Sequence, residues 1–222
     1  MKTRDPFRTL VAVAVVAFGA ACSDTTGLGE PVDIDFRMQR IDDGMMTQVT
    51  STLAFHLAGD AEAISPDDVA SLTVTVDSIQ VLPTGDDEDD GGAWITIVLD
   101  EAVVLDLKAL PTSGASPIVI ASGTVNAGTY ANARLFISDA TIEFSTDITL
   151  GLAANFVAGE SYDVTVPSAD QTGIKTDAGF EATADADVDL LFDEGATFSN
   201  VNATGTGSVM LAPVIRSADD ES

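Results

Sequence analysis

The densest group of residues that could do chemistry is a run of five consecutive acids, Asp86, Asp87, Glu88, Asp89 and Asp90. Carboxylates this close repel one another, and a calcium ion with its roughly six to eight oxygen ligands would relieve the repulsion. An EF-hand loop that began at Asp86 would need Glu at its twelfth position, where the sequence has Ile97. Two interpretations of this acidic run (residues 86–90) remain: a hydrated hairpin tip, which we favour, and a calcium site of another kind.

A second acidic group is formed by Asp185, Asp187 and Asp189, which alternate with apolar residues. On a strand they would lie along one face at intervals of about 6.6 Å. Two facing carboxylates could serve as the general acid and base of a sugar-cleaving enzyme. The same pattern is typical of the solvated face of an amphipathic strand, which we favour because nothing in the spacing selects catalysis.

Nucleophilic catalysis has little support among the residues. His56 is the only histidine, and it lies on the expected outward face of its strand, so a Ser-His-Asp triad would depend on it alone. The sequence has no G-x-S-x-G elbow, no phosphate-binding loop and no dinucleotide-binding glycine motif. We therefore expect a non-catalytic protein, and a carboxylate-dependent hydrolase is the less favoured alternative.

The only cysteine, Cys22, follows three basic residues and an apolar stretch at positions 9–21, as in a secretory signal. Residues 19–21 (Gly-Ala-Ala) resemble the lipobox of bacterial lipoproteins, in which the cysteine is acylated, although an aliphatic residue usually occupies the place of Gly19. An ordinary buried cysteine, or cleavage at a nearby Ala-x-Ala-like site, is the alternative. We expect residues 1–21 to be a lipoprotein signal peptide that forms a helix. Asp24 would be the third mature residue rather than the second, which favours the outer membrane over the inner one.

The composition limits the class of partner. The chain has 36 Asp and Glu residues against 9 Lys and Arg, a net charge of −27, so nucleic acid is excluded because phosphate contacts need basic side chains. A hydrophobic content of 45% and a mean hydropathy of +0.25 are too apolar for a disordered acidic chain. The charge repels anionic surfaces unless divalent cations intervene, and it also fits adaptation to high salt.

The elements that must position these residues are short alternating runs between turn-prone segments. Typical runs are VDIDF from Val32, LTVTV from Leu72, AWITIVL from Ala93 and YDVTV from Tyr162. The apolar face shifts by one residue near Asp77, which predicts a β-bulge, and Ser65 with Pro66 predicts one capped helical turn. Each strand has a single apolar face and needs a second layer to cover it. The pattern predicts one antiparallel β-sandwich at 32–216, after a flexible tether at 22–31 and before an acidic tail at 217–222.

Several segments, taken in order, resemble a family of bacterial envelope proteins known as domain of unknown function 4382. They are LTVTVDSIQV from Leu72, Trp94, VVLDLKAL from Val103, AGTYANARL from Ala127, VPSADQTGIK from Val166 and LAPVIR from Leu211. The resemblance covers roughly residues 70–216 and leaves 32–69 outside its clear part. It implies a sandwich-like envelope domain and no activity.

The segment AGTYANARL contains two polar side chains of interest, Tyr130 and Arg134. We expect Tyr130 to begin a strand whose other face has the alternate residues of 131–137, as at the tyrosine-bearing strand starts of sandwich domains. One interpretation makes Tyr130 and Arg134 a ligand surface. We favour the other, in which Tyr130 bonds to a neighbouring backbone group and Arg134 pairs with a carboxylate.

The sequence as a whole predicts an all-β, immunoglobulin- or prealbumin-like antiparallel sandwich, anchored in the cell envelope through a lipid on Cys22. Its expected partners are the membrane through that lipid and an envelope protein or glycan, and no cofactor other than calcium is considered. The predicted role is a non-catalytic binding or structural module. The alternative is a calcium-stabilised adhesion or glycan-binding module.

Overall fold

The computed structural model describes residues 29–41, 64–85, 94–112, 114–150, 154–167, 169, 171–176, 179–184, 186–199, 201–203 and 207–218. The predicted signal-peptide helix and the predicted strand at 52–57, which contains His56, therefore lie outside the described residues. The strands of the described part are, in chain order, β1 (Pro31–Arg40), β2 (Val69–Pro83), β3 (Ile95–Asp106), β4 (Ile118–Asn126), β5 (Gly128–Phe144), β6 (Ile148–Leu150), β7 (Ala154–Phe156), β8 (Ser161–Thr165), β9 (Ile174–Lys175), β10 (Phe180–Ala182), β11 (Asp187–Asp193), β12 (Asn202–Ala203), β13 (Val209–Met210) and β14 (Val214–Ser217).

Two sheets pack face to face. The smaller sheet has the strand order β14-β11-β1-β4, and the larger has the order β12-β13-β8-β5-β2-β3, with β9 and β10 also paired to β5. Side chains of both sheets form one core, in which Phe36 of β1 meets Phe180 of β10 edge to face with ring centroids 6.1 Å apart. The predicted all-β sandwich is confirmed.

The strand direction departs from the expectation at two places. β1 and β11 run parallel, with Asp35 opposite Asp187, and β8 and β13 are also parallel. The alternation of apolar and polar residues along a strand predicts which face is buried. The alternation is the same whether the neighbouring strand is parallel or antiparallel, so it does not predict strand direction. The direction depends on the connection between the strands, and most of the larger sheet lies between β1 and β11 in the chain.

β1 shows how the alternating pattern builds the core. Ile34, Phe36 and Met38 are buried, while Asp33 and Asp35, at the alternate positions, point away from the core. Burying an apolar side chain of this size stabilises the fold by about 1.5–3 kcal/mol. β1 lies between β4 and β11, so its buried side chains fill the middle of the smaller sheet.

The predicted β-bulge near Asp77 is confirmed and belongs to a row of bulges. Between Val76 and Ser78, one residue of β2, Asp77, has no partner in β3. Over the same stretch, residues 99–102 of β3 have no partners in β2. On the other side of β2, Ser138 of β5 has no partner in the register. An extra residue in a strand bends it and increases its twist, so the larger sheet bends along this row.

The predicted helical turn at Ser65 is confirmed as a 3₁₀ turn at Pro66–Asp68. The Ser65 hydroxyl accepts a hydrogen bond from the Asp67 backbone N–H, and the Asp68 carboxylate accepts one from the Ser65 N–H. A second 3₁₀ turn spans Leu107–Ala109, and the helix α1 spans Glu194–Phe198. None of the helical segments in the described part is long and apolar enough to cross a membrane.

Candidate functional site

Several predicted site residues fall outside the part of the chain that the structure describes. These are Cys22, His56, Asp185 and the acidic run. The acidic run follows β2, which ends at Pro83, and precedes β3, which begins at Ile95. Its flanks are thus strands, and an EF-hand is excluded because it needs helices there.

The outer face of β11 holds an arginine of the neighbouring strand. Asp189 accepts two hydrogen bonds from the Arg37 guanidinium, at 2.7 Å from Nε and 3.0 Å from Nη2, and Asp187 forms an ion pair with Nη1. The parallel register makes this possible because it places Arg37 directly opposite Asp189. The hydrogen bond to Asp189 raises the pKa of the Arg37 guanidinium above its ordinary value, and burial offsets part of that rise. Both carboxylates considered for sugar cleavage, Asp187 and Asp189, are therefore bound to the same arginine.

A buried ion-pair network lies at the junction of β11 and α1. The Asp193 and Glu194 side chains are 2% and 7% exposed, so each needs a charged partner. Arg216 approaches Asp193 Oδ2 with Nε at 2.9 Å and Nη2 at 2.8 Å. Glu194 binds Arg40 at 3.3 Å through Oε2 and Lys108 through Oε1. Arg40, Lys108, Asp193, Glu194 and Arg216 are called the buried network below.

Sequence reasoning missed this network because the Asp-Glu-Gly segment at 193–195 has the composition of a turn between strands. The segment is instead the end of β11 and the start of α1, whose N-cap is Asp193. The Asp193 carboxylate accepts a hydrogen bond from the Ala196 backbone N–H at 2.8 Å, as N-cap residues do. Asp at the N-cap followed by Glu in the first turn is a helix-start signal that could have been recognised.

The basic side chains of the described part fall into two groups. The chain has nine Lys and Arg residues, of which three lie in the first eight positions. Four of the other six contact acids of β11 and α1, namely Arg37, Arg40, Lys108 and Arg216. The remaining two, Arg134 and Lys175, face each other in the register of β5 and β9 on the larger sheet.

Arg134 is the centre of an aromatic and cationic surface on the outside of the larger sheet. Its guanidinium carbon lies 3.8 Å from the ring centroid of Trp94 and 5.1 Å from that of Phe136. Its Nε and Nη2 donate to the Gln80 amide oxygen at 3.0 and 2.6 Å. The predicted pairing of Arg134 with a carboxylate is not among these contacts and stays a prediction.

Tyr130 is buried and does not belong to that surface. Its hydroxyl donates to the Asn126 backbone carbonyl at 2.8 Å, as predicted, and its ring stacks on Phe180 with centroids 5.1 Å apart. The expectation that Tyr130 and Ala133 lie on opposite faces is wrong, since both are buried. The reason is a bulge: Ala131 has no partner in β2, so the alternation changes phase at that residue.

Two clefts on the described surface contain carboxylates. One, of about 290 Å³, is lined in part by Ser138, Asp139 and Asp163, at the bulge of β5 and the neighbouring β8. The other, of about 300 Å³, lies between the edge strands β3 and β4 and includes Asp100 and Glu101. Within the described residues, no group of three or more His, Cys, Asp or Glu side chains could hold a metal ion.

Comparison with known proteins identifies one family. The model of the family described as Domain of unknown function (DUF4382) matches residues 50–213. The match begins 20 residues earlier than the resemblance seen in the sequence, so residues 50–69 are part of the family region, whereas β1 lies outside it. No curated protein and no solved structure matches the chain.

Proposed function

The chain belongs to the DUF4382 family, and from this premise we propose that it is a non-catalytic, lipid-anchored protein of the cell envelope. An acyl group on Cys22 holds it to a membrane, the outer one by the argument from Asp24, and the sandwich acts as a binding or structural module. The observation that carries the proposal is the place where the folded body begins. Gly29, only seven residues after Cys22, is already hydrogen-bonded to the sandwich.

The chain enters the fold at one end of the sandwich. The Gly29 backbone N–H donates to the Ala127 carbonyl, and the Ala127 N–H donates to the Glu30 carbonyl, between the end of β4 and the start of β5. Seven residues span at most about 25 Å when fully extended. A lipid on Cys22 would therefore keep this end of the sandwich close to the bilayer.

The contacts of the acidic residues support a non-catalytic role. Asp187 and Asp189, the pair considered for sugar cleavage, are bound to Arg37. Asp193 and Glu194 are bound to three basic side chains of the buried network. In both groups the carboxylates hold together segments that are distant in the chain, so their charges have a structural role.

A carboxylate-dependent hydrolase is the second candidate, because the cleft at Asp139 and Asp163 brings two carboxylates to one concave surface. In the register of β5 and β8, Asp163 lies opposite Thr141, two residues from Asp139, and glycoside hydrolysis uses two carboxylates on one such surface. Asp163→Asn would abolish release of reducing sugar from envelope glycans if this candidate is right. Equal sugar release by wild type and variant, or none by either, would eliminate it.

The anchoring is tested on the protein isolated from its own envelope fraction. We expect the mass spectrum of the N-terminal peptide to begin at Cys22 and to include the added acyl groups, and the intact protein to enter the detergent phase. Cys22→Ser is the matched control and should stay in the aqueous phase. An unacylated N-terminal peptide, or equal partition of the two proteins, would refute lipid anchoring. Sedimentation of the membranes in a sucrose gradient then assigns the inner or the outer membrane.

A further inference from the structure

We propose that the outer edge of β4 binds an extended segment of another polypeptide, in which apolar residues alternate with lysine or arginine. The segment pairs with β4 as a further strand of the smaller sheet and lies over the cleft between β4 and β3. This inference rests on the proposed function, because it names the class of partner that the binding module takes. The outer edge of β4 (Ile118–Asn126) and residues 98–103 of β3 are called the open edge below.

The open edge is the side of the sandwich on which no described strand joins the two sheets. On the opposite side, β9 pairs with β5 of the larger sheet, and the next residue, Thr176, bridges to Ile215 of β14 in the smaller sheet. β4 and β3 each end their sheet, and no backbone pairing connects them within the described residues. An edge strand presents a row of backbone N–H and C=O groups to its surroundings. The backbone of another extended polypeptide is the ligand that matches the repeat of these groups.

Exposed apolar side chains are concentrated on the two strands that border this side. Five large apolar side chains of the described part are exposed, and four of them lie on β3 or β4, namely Val98, Val104, Ile118 and Val119. The cleft of about 300 Å³ between the strands continues this surface, since Val103 and Ile120 contribute to its lining. Apolar residues of an added strand would cover these side chains, because cross-strand pairs of β-branched residues stabilise a sheet.

The charge of the open edge selects a basic segment. Asp100 and Glu101 of β3 line the cleft, and neither carboxylate forms an ion pair with another described residue. On the outer face of the smaller sheet, Asp33 and Asp35 of β1 hold two further carboxylates directly beside β4. A strand added to β4 would lie two strand spacings of about 4.8 Å each from β1. Its lysine or arginine side chains would therefore have carboxylates both on the outer face and in the cleft.

A second copy of this chain matches the open edge less well. The copy would bring the same carboxylates to the contact, and both partners would have a net charge of −27. Like charges on adjacent strands are destabilising, and acids at an edge act against self-association. Residues 99–102 of β3 have no partners in β2, and such a bulge also disturbs pairing along the outer side of β3. β4 is the more regular edge, since its pairing with β1 is interrupted at the single residue Ile120 over its whole described length.

Peptide probes test both the backbone pairing and the charge. A fluorescein-labelled peptide of Lys-Val repeats, about eight residues long, is titrated with the full-length protein in detergent, and its fluorescence anisotropy is compared with that in detergent alone. We expect saturable binding. A Glu-Val peptide of the same length tests the charge, and a fully N-methylated Lys-Val peptide keeps the side chains but has no backbone donors. Each of these two should bind weaker by about tenfold or more.

Two variants of the protein place the contact on β4. Val119→Lys puts a cation on the edge that the lysines of the peptide approach, and it should weaken binding of the Lys-Val peptide by about tenfold. Val157→Lys is the matched control, because it makes the same change of charge at a valine that is 48% exposed, against 54% for Val119. Val157 follows β7, which pairs with β6 outside the two main sheets, so this variant should bind the peptide as the wild type does.

Absence of saturable binding, equal binding of the N-methylated peptide, or equal weakening by the two variants overturns this inference. Self-association of the protein that Val119→Lys abolishes, measured by sedimentation velocity, also overturns it, because a second copy would then occupy the edge. None of these results affects the mass of the N-terminal peptide. Failure of this inference is therefore distinguishable from failure of the lipid anchoring at Cys22.

Discussion

Removal of one hydroxyl group tests whether Tyr130 holds the turn between β4 and β5. Tyr130→Phe keeps the ring that stacks on Phe180 but deletes the hydrogen bond to the Asn126 carbonyl at 2.8 Å. The tyrosine is fully buried, so water does not replace the lost donor. Leaving a buried acceptor without its partner costs about 1–3 kcal/mol, and we expect the free energy of unfolding to fall by that amount.

Equilibrium unfolding in urea measures this change. The slope of the free energy of unfolding against urea concentration should be unaltered, because the folded surface of the variant is the same. Tyr162→Phe is the matched control, since Tyr162 is the only other tyrosine. Its hydroxyl accepts from the Val157 N–H and donates to Glu160 at an exposed position. Water can replace these bonds, so we expect a smaller loss, of about 1 kcal/mol or less.

The same variant makes a pH prediction with a defined sign. Burial raises the pKa of the Tyr130 phenol above its ordinary value of 10.0, and only the neutral phenol can donate the hydrogen bond to the Asn126 carbonyl. The unfolded chain then releases this proton at a lower pH than the folded protein does. The stability due to the neutral phenol is complete below pH 10 and declines as the pH rises toward the folded pKa. The difference in stability between wild type and Tyr130→Phe should therefore shrink above pH 10. A difference that stays constant there, or one below about 0.5 kcal/mol at neutral pH, would refute the reasoning.

Three further changes test other parts of the structure. Glu194→Ala leaves two basic side chains of the buried network without their shared carboxylate, and the free energy of unfolding should fall by about 3–5 kcal/mol in urea; a loss below about 1 kcal/mol would contradict the network. Gly123→Ala places a methyl group 2.7 Å from Cγ2 of the buried Ile97 in the opposite sheet, and calorimetry should show a loss of about 1–3 kcal/mol, whereas an unchanged melting temperature would mean that the sheets are further apart. For the acidic run, the favoured hydrated tip predicts no shift of the melting temperature with calcium. A chelator-reversible rise, equivalent to about 2.7 kcal/mol at a hundredfold excess over Kd, would select a calcium site instead.

Local features were predictable from the sequence. The strands, the bulge near Asp77 and the capped turn at Ser65 depend on side chains a few residues apart, and the alternation or the cap signal encodes them directly. The bond from Tyr130 to a neighbouring backbone group was predictable for the same reason, since its acceptor is Asn126, four residues earlier.

Non-local features were not predictable. Arg37 and Asp189 are 152 residues apart in the chain, and they meet only because β11 runs parallel to β1. The stacking of Arg134 on Trp94 depends on the order β5-β2-β3 in the larger sheet. Alternation carries no information about which strand becomes a neighbour, so the partners of the ionic side chains could not be derived from their spacing.

The central place of β1 in the smaller sheet sets the order of assembly. Its neighbours β4 and β11 are synthesised long after it, as the contacts of Asp35 with Ser122 and of Arg37 with Asp189 span 87 and 152 residues. Until then Phe36 and Met38 have no layer to cover them. Pairings this distant in sequence close slowly, because the chain loses loop entropy before it gains the contact. The earliest segment of the sandwich is thus among the last to be secured, and the nascent chain needs protection from self-association in that interval.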